Sequence, residues 1–156
     1  MKRVLVFSDT HGQLARVSAA KELVGKVDLL LHLGDYSSDA PTIAREFCVP
    51  FYAVRGNCDF WGSDAPQHQI VSVENARILM VHGDAFYSTN QLVDLAEANQ
   101  CGAALFGHTH QSLLTAQGSL LLLNPGSLSL PRHGQQPSFA VLTVEADEIN
   151  AKIYTL

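Results

Sequence analysis

Residues 3–12, Arg-Val-Leu-Val-Phe-Ser-Asp-Thr-His-Gly, contain the stretch that decides the fold. The run from Arg3 to Ser8 is rich in Val and Leu, which is typical of a buried β-strand, and it ends in the polar residues Asp9-Thr10-His11. The next segment, from Gln13 to Val24, has apolar residues at roughly helical spacing and is followed by Gly25 as a stop signal. A strand, a polar cluster and a helix in this order predict the first unit of an α/β fold.

The alternation of strands and helices continues over the first two thirds of the chain, and the last third is mostly β. This pattern predicts an α/β protein with two sheets or one long mixed sheet. Two neighbouring strands, at 69–73 and 76–81, are joined by Glu74-Asn75 and predict a hairpin. The other predicted strands are 28–33, 51–54, 103–106, 112–116, 119–123, 138–144 and 149–154, and further helices are predicted over 41–48 and from Ser88 or Thr89 to just before Gly102.

Length and composition are those of a globular chain. The 156 residues suffice for one sizeable core, and the hydrophobic share of 47% and charged share of 16% are far from those of disordered proteins. No repeat or linker divides the sequence, so we expect one domain over residues 1–156.

The charge balance excludes some classes of partner. Asp and Glu number 15 against 10 Lys and Arg, which disfavours nucleic-acid and membrane-surface binding because both need a basic face. Every apolar run is interrupted well before the roughly 18 residues that a membrane span needs. The three cysteines, Cys48, Cys58 and Cys101, lack the spacing of a disulfide framework or zinc ribbon, so we expect a cytoplasmic protein.

Five of the predicted strands end in a polar cluster. Because ligands collect at the carboxyl edge of such sheets, we expect these clusters to converge in space. Residues two apart in an extended chain project to the same side, so Asp9 should face the same way as His11, and His108 the same way as His110. The clusters are Asp9-Thr10-His11, Gly34-Asp35, Gly56-Asn57, His82-Gly83 and Gly107-His108-Thr109-His110.

The converging side chains are typical of a metal centre. Two carboxylates, one amide and four imidazoles suit Mn²⁺, Fe, Co²⁺, Ni²⁺ or Zn²⁺ and suit Ca²⁺ poorly. Seven groups fit two ions if one carboxylate bridges them, and Asp35 is the natural bridge. Two ions roughly 3.5–4 Å apart would hold a shared hydroxide as nucleophile and clamp a phosphoryl group. The seven candidate ligands are Asp9, His11, Asp35, Asn57, His82, His108 and His110.

Ordinary explanations exist for each cluster taken alone, since Gly-Asp and Gly-Asn are common turn residues. The recurrence of polar clusters at the same structural place favours the metal centre. His32, His68 and His133 lack a partner at metal-ligand spacing and are interpreted as core or surface residues. A serine nucleophile at Ser8 or Ser127 is disfavoured, because neither lies in a Gly-x-Ser-x-Gly elbow.

In this order the clusters resemble the signature of the calcineurin-like metallophosphoesterases: Asp-x-His, Gly-Asp, Gly-Asn-His-Asp/Glu, His-Gly and Gly-His-x-His. The match runs from residue 4 to about residue 130, and the third cluster continues here as Gly56-Asn57-Cys58-Asp59. The short length, this cysteine variant and Asn124-Pro125-Gly126-Ser127 resemble the compact microbial phosphodiesterases, a subgroup that includes the retromer's phosphoesterase-like subunit.

The resemblance implies a four-layer α/β/β/α sandwich of two mixed β-sheets flanked by helices, with a dinuclear centre. It implies that Asp35 bridges two divalent ions, with Mn²⁺ the first expectation and Ni²⁺, Fe, Zn²⁺ or Co²⁺ as alternatives. Asp35, Asn57 and His82 are the expected catalytic residues. By motif, one ion would be held by Asp9, His11 and His110, and the other by Asn57, His82 and His108.

Three further residues are candidates for the reaction. Cys58 stands where many members of the family have His, and a thiol is a poor acid at neutral pH, so esters with good leaving groups should react best; a small loop residue without chemistry is the alternative. Asp59 is expected to order Asn57 or a ligand His. Arg132 would bind a substrate phosphate in bidentate fashion, or is a solvated loop cation.

The leading hypothesis is therefore a phosphodiesterase acting on small-molecule or nucleotide phosphoesters. The alternative is a non-catalytic metal-binding scaffold with the same fold, which the presence of all seven ligands disfavours. A nuclease needs a basic groove, and a protein phosphatase needs more chain for docking its substrate. Phe60 and Trp61 would stack a base or line a subunit interface, which leaves a homo-oligomer open.

Overall fold

The computed structural model describes residues 1–60 and 63–156. A short 3-10 helix covers Ser37–Asp39. The α-helices are α1 (Val17–Val24), α2 (Ala40–Phe47) and α3 (Thr89–Ala98). The strands are β1 (Lys2–Phe7), β2 (Leu29–His32), β3 (Phe51–Ala53), β4 (His68–Val73), β5 (Ala76–Val81), β6 (Ala103–Leu105), β7 (Ser112–Gln117), β8 (Leu120–Pro125), β9 (Ser138–Glu145) and β10 (Glu148–Thr155).

The strands form two mixed sheets of five strands each. The first has the order β10-β9-β1-β2-β3, in which β1, β2 and β3 are parallel and β9 is antiparallel to both of its neighbours, β1 and β10. The second has the order β4-β5-β6-β8-β7, with β5, β6 and β8 parallel and the outer strands antiparallel to them. The prediction of two mixed sheets is confirmed.

Strand β1 shows why the apolar runs are continuous. Val4 and Val6 point into the core between the two sheets, whereas Leu5 and Phe7 point into the core beneath α1 and α2. Since both faces of the strand are buried from Val4 to Phe7, these four positions are all apolar. Helix α3 covers the outer face of the second sheet, where Leu92 packs. The layers are therefore α/β/β/α, as the resemblance implied.

The segment after β1 differs from its prediction. A helix was expected from Gln13, but α1 begins only at Val17. Residues 10–16 form turns instead, with the Gln13 N–H donating to the Thr10 carbonyl oxygen (2.9 Å) and the Val17 N–H donating to that of Leu14 (3.1 Å). Gly12 has a positive φ of 73°, which a regular helix excludes. These turns keep the polar residues after β1 at the end of the sheet.

Hydrogen bonds join the carboxyl ends of strands from both sheets. His82, after β5 of the second sheet, is bonded through Nδ1 to the carbonyl oxygen of Leu33, after β2 of the first (2.8 Å). Asn124 at the end of β8 donates to the Gly107 carbonyl oxygen (2.9 Å). The polar clusters therefore converge, but at the common end of two stacked sheets. None of the described helices is long and apolar enough to cross a membrane.

Candidate metal centre

The candidate ligands lie on loops with an unusual backbone. Asp9, His11, Asp35, His108 and His110 all have positive φ angles, between 49° and 66°. The expectation of an extended Asp-x-His and His-x-His was therefore wrong. Left-handed residues turn the chain sharply just beyond the strand, which directs several consecutive loops toward one point.

Two glycines make room for the carboxylates. A Cβ atom on Gly107 would lie 2.7 Å from Oδ2 of Asp9, and one on Gly56 would lie 2.6 Å from the backbone nitrogen of Asp35. Real Cβ atoms do not come so close to other heavy atoms, so any larger residue would displace a candidate ligand. The glycine in each of these motifs is required by this close approach.

Asp9 is fully buried, and its two oxygens have different surroundings. Oδ2 accepts hydrogen bonds from the Ser8 hydroxyl (2.5 Å) and the His108 backbone N–H (3.1 Å). Oδ1 lies 3.2 Å from Nε2 of His110 but makes no hydrogen bond, and it is the single buried side-chain oxygen or nitrogen of the described residues that lacks one. A buried, unpaired carboxylate oxygen needs a cation beside it.

The two most buried imidazoles among the candidate ligands are oriented by backbone carbonyl groups. Nδ1 of His82 lies 2.8 Å from the Leu33 carbonyl oxygen, and Nδ1 of His110 lies 2.6 Å from that of Leu130. A carbonyl oxygen only accepts, so each Nδ1 carries a proton and each Nε2 of a neutral ring presents a lone pair to the centre. Metal-binding histidines are commonly held in this way.

The pKa shifts of these residues also indicate that positive charge is favoured between them. Burial opposes ionisation of Asp9, but His110 and His82 outweigh it and hold the pKa of Asp9 below its ordinary value. The nearby Asp9 carboxylate raises the pKa of His110. Burial works against protonation of His82, yet Asp35 and Asp9 raise its pKa. The carboxylates therefore attract either protons on the imidazoles or a metal ion between them.

Asp35 presents one oxygen to each half of the cluster. Its Oδ1 lies 3.3 Å from Nε2 of His82 and accepts the Cys58 backbone N–H (2.9 Å), while its Oδ2 lies 3.6 Å from Nε2 of His11. Burial opposes ionisation, but His82 and the Cys58 N–H hold the pKa of Asp35 well below its usual range. This is the placement required of a bridging carboxylate.

The first half of the cluster contains Asp9, His11, Asp35 and His110. One potential ligand atom from each of them lies within 4.8 Å of the others. Nε2 of His11 is 3.3 Å from Nε2 of His110, so two ring nitrogens face each other. Because Nε2 of neutral His110 is an acceptor, either a proton on Nε2 of His11 or a cation between the rings suits this contact, and the donor set fits a divalent ion.

The second half contains Asn57, His82 and His108. Oδ1 of Asn57 lies 3.1 Å from Nε2 of His82 and 3.1 Å from Nδ1 of His108. The Asn57 amide group donates from Nδ2 to the Cys58 sulfur (3.7 Å), which keeps Oδ1 turned toward the imidazoles. Because Nε2 of neutral His82 is an acceptor, it and Oδ1 of Asn57 are two acceptors in contact, an arrangement that also fits a cation.

Asp59 contacts the loop that carries Asn57 through the backbone and not through the Asn57 side chain. Among the described residues its carboxylate bonds to neither Asn57 nor a ligand His. It accepts the backbone N–H groups of Ser37 (2.8 Å) and Gly56 (2.8 Å) instead. Asp59 therefore braces the loop that carries Asn57 against the loop after Asp35.

Arg132 lies on an exposed turn next to the first half of the cluster. Its backbone N–H donates to the carbonyl oxygen of His110 (3.2 Å), and its positive charge opposes protonation of the His110 ring. No hydrogen bond or ion pair engages its guanidinium among the described residues. The side chain is therefore free to meet a substrate.

The turn around Ser127 lies at the site, as predicted, and the serines there have structural roles. Ser127 is fully buried and donates to the Asp9 carbonyl oxygen (2.8 Å). Ser129 donates to the same oxygen (3.1 Å) and to the Thr10 carbonyl oxygen (2.9 Å). Ser8 donates to the Asp9 carboxylate. These contacts explain why neither candidate serine is placed as a nucleophile.

Sequence reasoning missed a hydrogen-bonded chain behind the ligands. His32, interpreted as a core or surface residue, is fully buried, and burial lowers its pKa to about 4. Its Nδ1 accepts the Gly34 backbone N–H (3.2 Å), so its Nε2 carries the proton and donates to the Thr10 hydroxyl (3.0 Å). Thr10 in turn donates to Oδ2 of Asp39 (2.6 Å). The position of His32 within the apolar run of residues 28–33 was the signal in the sequence that could have indicated a buried, hydrogen-bonded histidine.

Comparison with known proteins agrees with this architecture. Residues 1–147 match the model of the calcineurin-like phosphoesterase superfamily domain. The chain is 34% identical to the probable metallophosphoesterase YsnB of Bacillus subtilis (97% of this chain, 89% of the relative). It is 29% identical to the phosphodiesterase YfcE of Escherichia coli (91% and 88%).

A solved structure extends the comparison of the fold. Vps29 from Entamoeba histolytica in complex with Zn²⁺ superposes with a TM-score of 0.83 at 22% identity, over 98% of this chain and 92% of Vps29. Two mixed sheets with a cluster of oxygen and nitrogen donors at their common end define a metallophosphoesterase. The chain belongs to the calcineurin-like phosphoesterase superfamily.

Proposed function

We propose that the protein is a cytoplasmic phosphodiesterase that uses two divalent metal ions to hydrolyse small-molecule or nucleotide phosphoesters. The observation that carries this proposal is the position of Asp35 between two donor sets, next to the unpaired Oδ1 of Asp9. Such a set fits two ions better than one, and Mn²⁺ is the first expectation. The three free cysteine thiols support a reducing compartment.

The division of ligands follows the two halves of the cluster. Divalent ions there would lower the pKa of a coordinated water and draw charge from the phosphoryl oxygens. Asp35 would serve both ions. The first ion would be held by Asp9, His11 and His110, and the second by Asn57, His82 and His108.

The chain's own groups would orient the substrate and restrict efficient hydrolysis to esters with good leaving groups. Arg132, with its free guanidinium beside His110, would bind a phosphoryl oxygen. Near Asn57 the available proton donor is the Cys58 thiol, and burial together with Asp35 raises its pKa to about 11. So weak an acid gives little help to a departing alkoxide, so good leaving groups would be favoured.

Relatives support the reaction class. YfcE is named a phosphodiesterase and YsnB a probable metallophosphoesterase, and both cover nearly the whole chain. The likeness to Vps29 concerns the fold alone and does not favour a scaffold over an enzyme.

The decisive experiment measures metal content and hydrolysis on the same protein. Metal-depleted protein should show no hydrolysis, and Mn²⁺ should restore it toward a panel of phosphomonoesters, cyclic nucleotides, dinucleotides and aryl phosphodiesters. Calorimetry should give about two ions per chain. Asp9→Asn should lose the first site, whereas Asp147→Asn, in the exposed turn after β9, is the matched control. Stoichiometric metal binding without hydrolysis of any substrate would support the scaffold instead.

A further inference from the structure

Two separate cavities open beside the ligand cluster. The larger, of about 640 Å³, reaches Tyr36 and Cys58, the residues that follow Asp35 and Asn57. The smaller, of about 210 Å³, reaches Gly107 and His108. The two share no lining residue. A phosphoryl group at the cluster could therefore place one ester substituent in each cavity, whereas a monoester would fill one.

Aromatic side chains line the larger cavity. Tyr36, Phe51, Tyr52 and Phe60 all contribute to it, and each is at least 40% exposed. Exposed rings at the mouth of a cavity offer stacking faces to a planar ligand group. Tyr36 is fixed beside the cluster, because its ring centroid lies 5.3 Å from that of His11. The cavity therefore suits an aromatic substituent close to the reacting phosphate.

The charges around the cavities oppose a second anionic group. The described lining of the larger cavity includes Asp59 and Asp64 and no lysine or arginine. The described lining of the smaller one has no carboxylate, lysine or arginine, and His108 is its one titratable imidazole. Among the described residues, the cationic side chains near the cluster are Arg132 and Arg55, and Arg55 lines neither of these cavities but a separate pocket of about 50 Å³ that reaches His82.

We infer that the substrate is a phosphodiester with uncharged substituents, one of them an aromatic ring seated in the larger cavity. This inference rests on the proposed function and narrows its substrate class. Diesters that carry a further phosphate or carboxylate on the substituent would meet Asp59 and Asp64 without a compensating cation.

Two substrates of nearly the same shape test whether a negative charge on the substituent weakens binding. Bis(4-nitrophenyl) phosphate and 4-nitrophenyl 4-carboxyphenyl phosphate have planar substituents of nearly equal size, and release of 4-nitrophenolate reports on both. We expect KM to be about fivefold to tenfold higher for the carboxylate at low salt. The monoester 4-nitrophenyl phosphate should have a lower kcat/KM than either diester.

Charge reversal at the cavity provides the matched variants. Asp64→Lys should bring the two KM values within about twofold, while Asp147→Lys, far from the cluster, should leave the ratio unchanged. Equal KM values in the wild-type protein would overturn the inference alone. If no substrate is hydrolysed with any metal, the proposed function fails as well.

A second inference comes from the buried chain behind the ligands. Thr10 stands between Asp9 and His11, and His32 binds the N–H of Gly34, the residue before Asp35. Each hydrogen bond has one allowed direction, because Nδ1 of His32 already accepts and the single Thr10 proton goes to Asp39. The chain therefore links the loop after β1 to the loop after β2.

We propose that His32, Thr10 and Asp39 are positioning residues that set the separation of the Asp9–His11 loop from Asp35. Asp39 also accepts the Gly12 backbone N–H (2.9 Å), so both sides of His11 are tied to the same carboxylate. None of the three touches the reacting atoms. Their effect would be on the spacing of the metal ligands.

Isosteric variants separate positioning from a purely structural role. Thr10→Val keeps the shape but removes the hydroxyl, and we expect calorimetry to show Mn²⁺ binding weakened about tenfold. Thr10→Ser should bind Mn²⁺ with an affinity within about twofold of that of the wild-type protein. The control Thr143→Val, on β9, should bind Mn²⁺ as tightly as the wild-type protein does. A lower Tm with unchanged metal affinity in Thr10→Val, or failure of Thr10→Ser to restore affinity, would overturn the proposal.

Discussion

The donors form a buried group and a more exposed group, a division that cuts across the two halves of the cluster. Asp9, Asp35, His82 and His110 are at most 4% exposed, and backbone groups fix each of them. His11 is half-buried, while Asn57 and His108 are exposed and are positioned mainly by contacts within the cluster.

This difference shows how the fold prepares a metal centre. The buried donors are in place before any ion binds, because moving them would break hydrogen bonds in the core. The exposed donors can adjust to the ion and to the substrate. We therefore expect substitutions among the buried donors to affect both metal affinity and stability, and substitutions among the exposed donors to affect chiefly the chemistry.

Asp35→Asn should have the largest effect, because the two oxygens of Asp35 face different halves of the cluster. With Mn²⁺ present we expect kcat/KM to fall about a hundredfold or more, since an amide is a weak bridge between two cations. Steady-state kinetics and metal content should be measured beside Asp147→Asn. Full activity of Asp35→Asn would refute the two-metal arrangement.

The next effect concerns stability at low pH. Burial gives His32 a pKa of about 4, below its ordinary value of 6.5, so the unfolded chain takes up the proton first. Stability is therefore lost as the pH falls from about 6.5 toward 4, by about 3 kcal/mol. Urea unfolding of the metal-free protein should show this loss relative to His32→Gln, which cannot titrate. Parallel curves for the two proteins would contradict it.

Two histidines allow a direct comparison of a buried and an exposed donor. His110→Ala removes a buried donor and leaves Asp9 with an unpaired charge, whereas His108→Ala removes an exposed one. We expect His110→Ala to weaken Mn²⁺ binding about tenfold more and to lower the free energy of unfolding by a further ~1–3 kcal/mol. Calorimetry and denaturant titration measure the two effects. Equal losses of Mn²⁺ affinity and of stability in the two variants would mean that burial does not distinguish the two groups of donors.

The smallest effect is expected at Cys58, on the exposed side. Cys58→His should supply a stronger acid, and we expect a severalfold gain in kcat for aryl phosphodiesters with poor leaving groups and little change for good ones. A plot of log kcat against leaving-group pKa should become shallower. Cys58→Ser is the control for the loss of sulfur. Identical slopes for wild type and Cys58→His would leave Cys58 as a loop residue without chemistry.

Many of the strands were predictable, because a continuous apolar run indicates a segment that is buried in the fold. The strand from Arg3 to Ser8 and the hairpin at 69–81 lie within a residue or two of their predicted bounds. The helix expected from Gln13 begins late, because turns around Gly12 hold the loop after β1. Helical spacing alone could not reveal those turns. The suggestion for Trp61 lies outside the described residues.

The seven donors were predictable as a set, but the reason for their convergence was not. Spacing suggested extended segments, whereas the residues have left-handed backbones on loops from two stacked sheets. Asp59 binds Ser37 and Gly56 instead of Asn57, and His32 supports the centre from within the core. Contacts of this kind depend on neighbours distant in sequence.

The sequence by itself determined the α/β class and the donor chemistry, because side-chain polarity and hydrophobic period are local properties of the chain. Only the tertiary structure decided which oxygen of Asp9 is left unpaired, that Asp35 faces both halves, and that two cavities whose described linings contain no lysine or arginine flank the site. Those features arise where loops from different sheets pack against one another. Their distances are set by the packing of both sheets, to which the whole chain contributes.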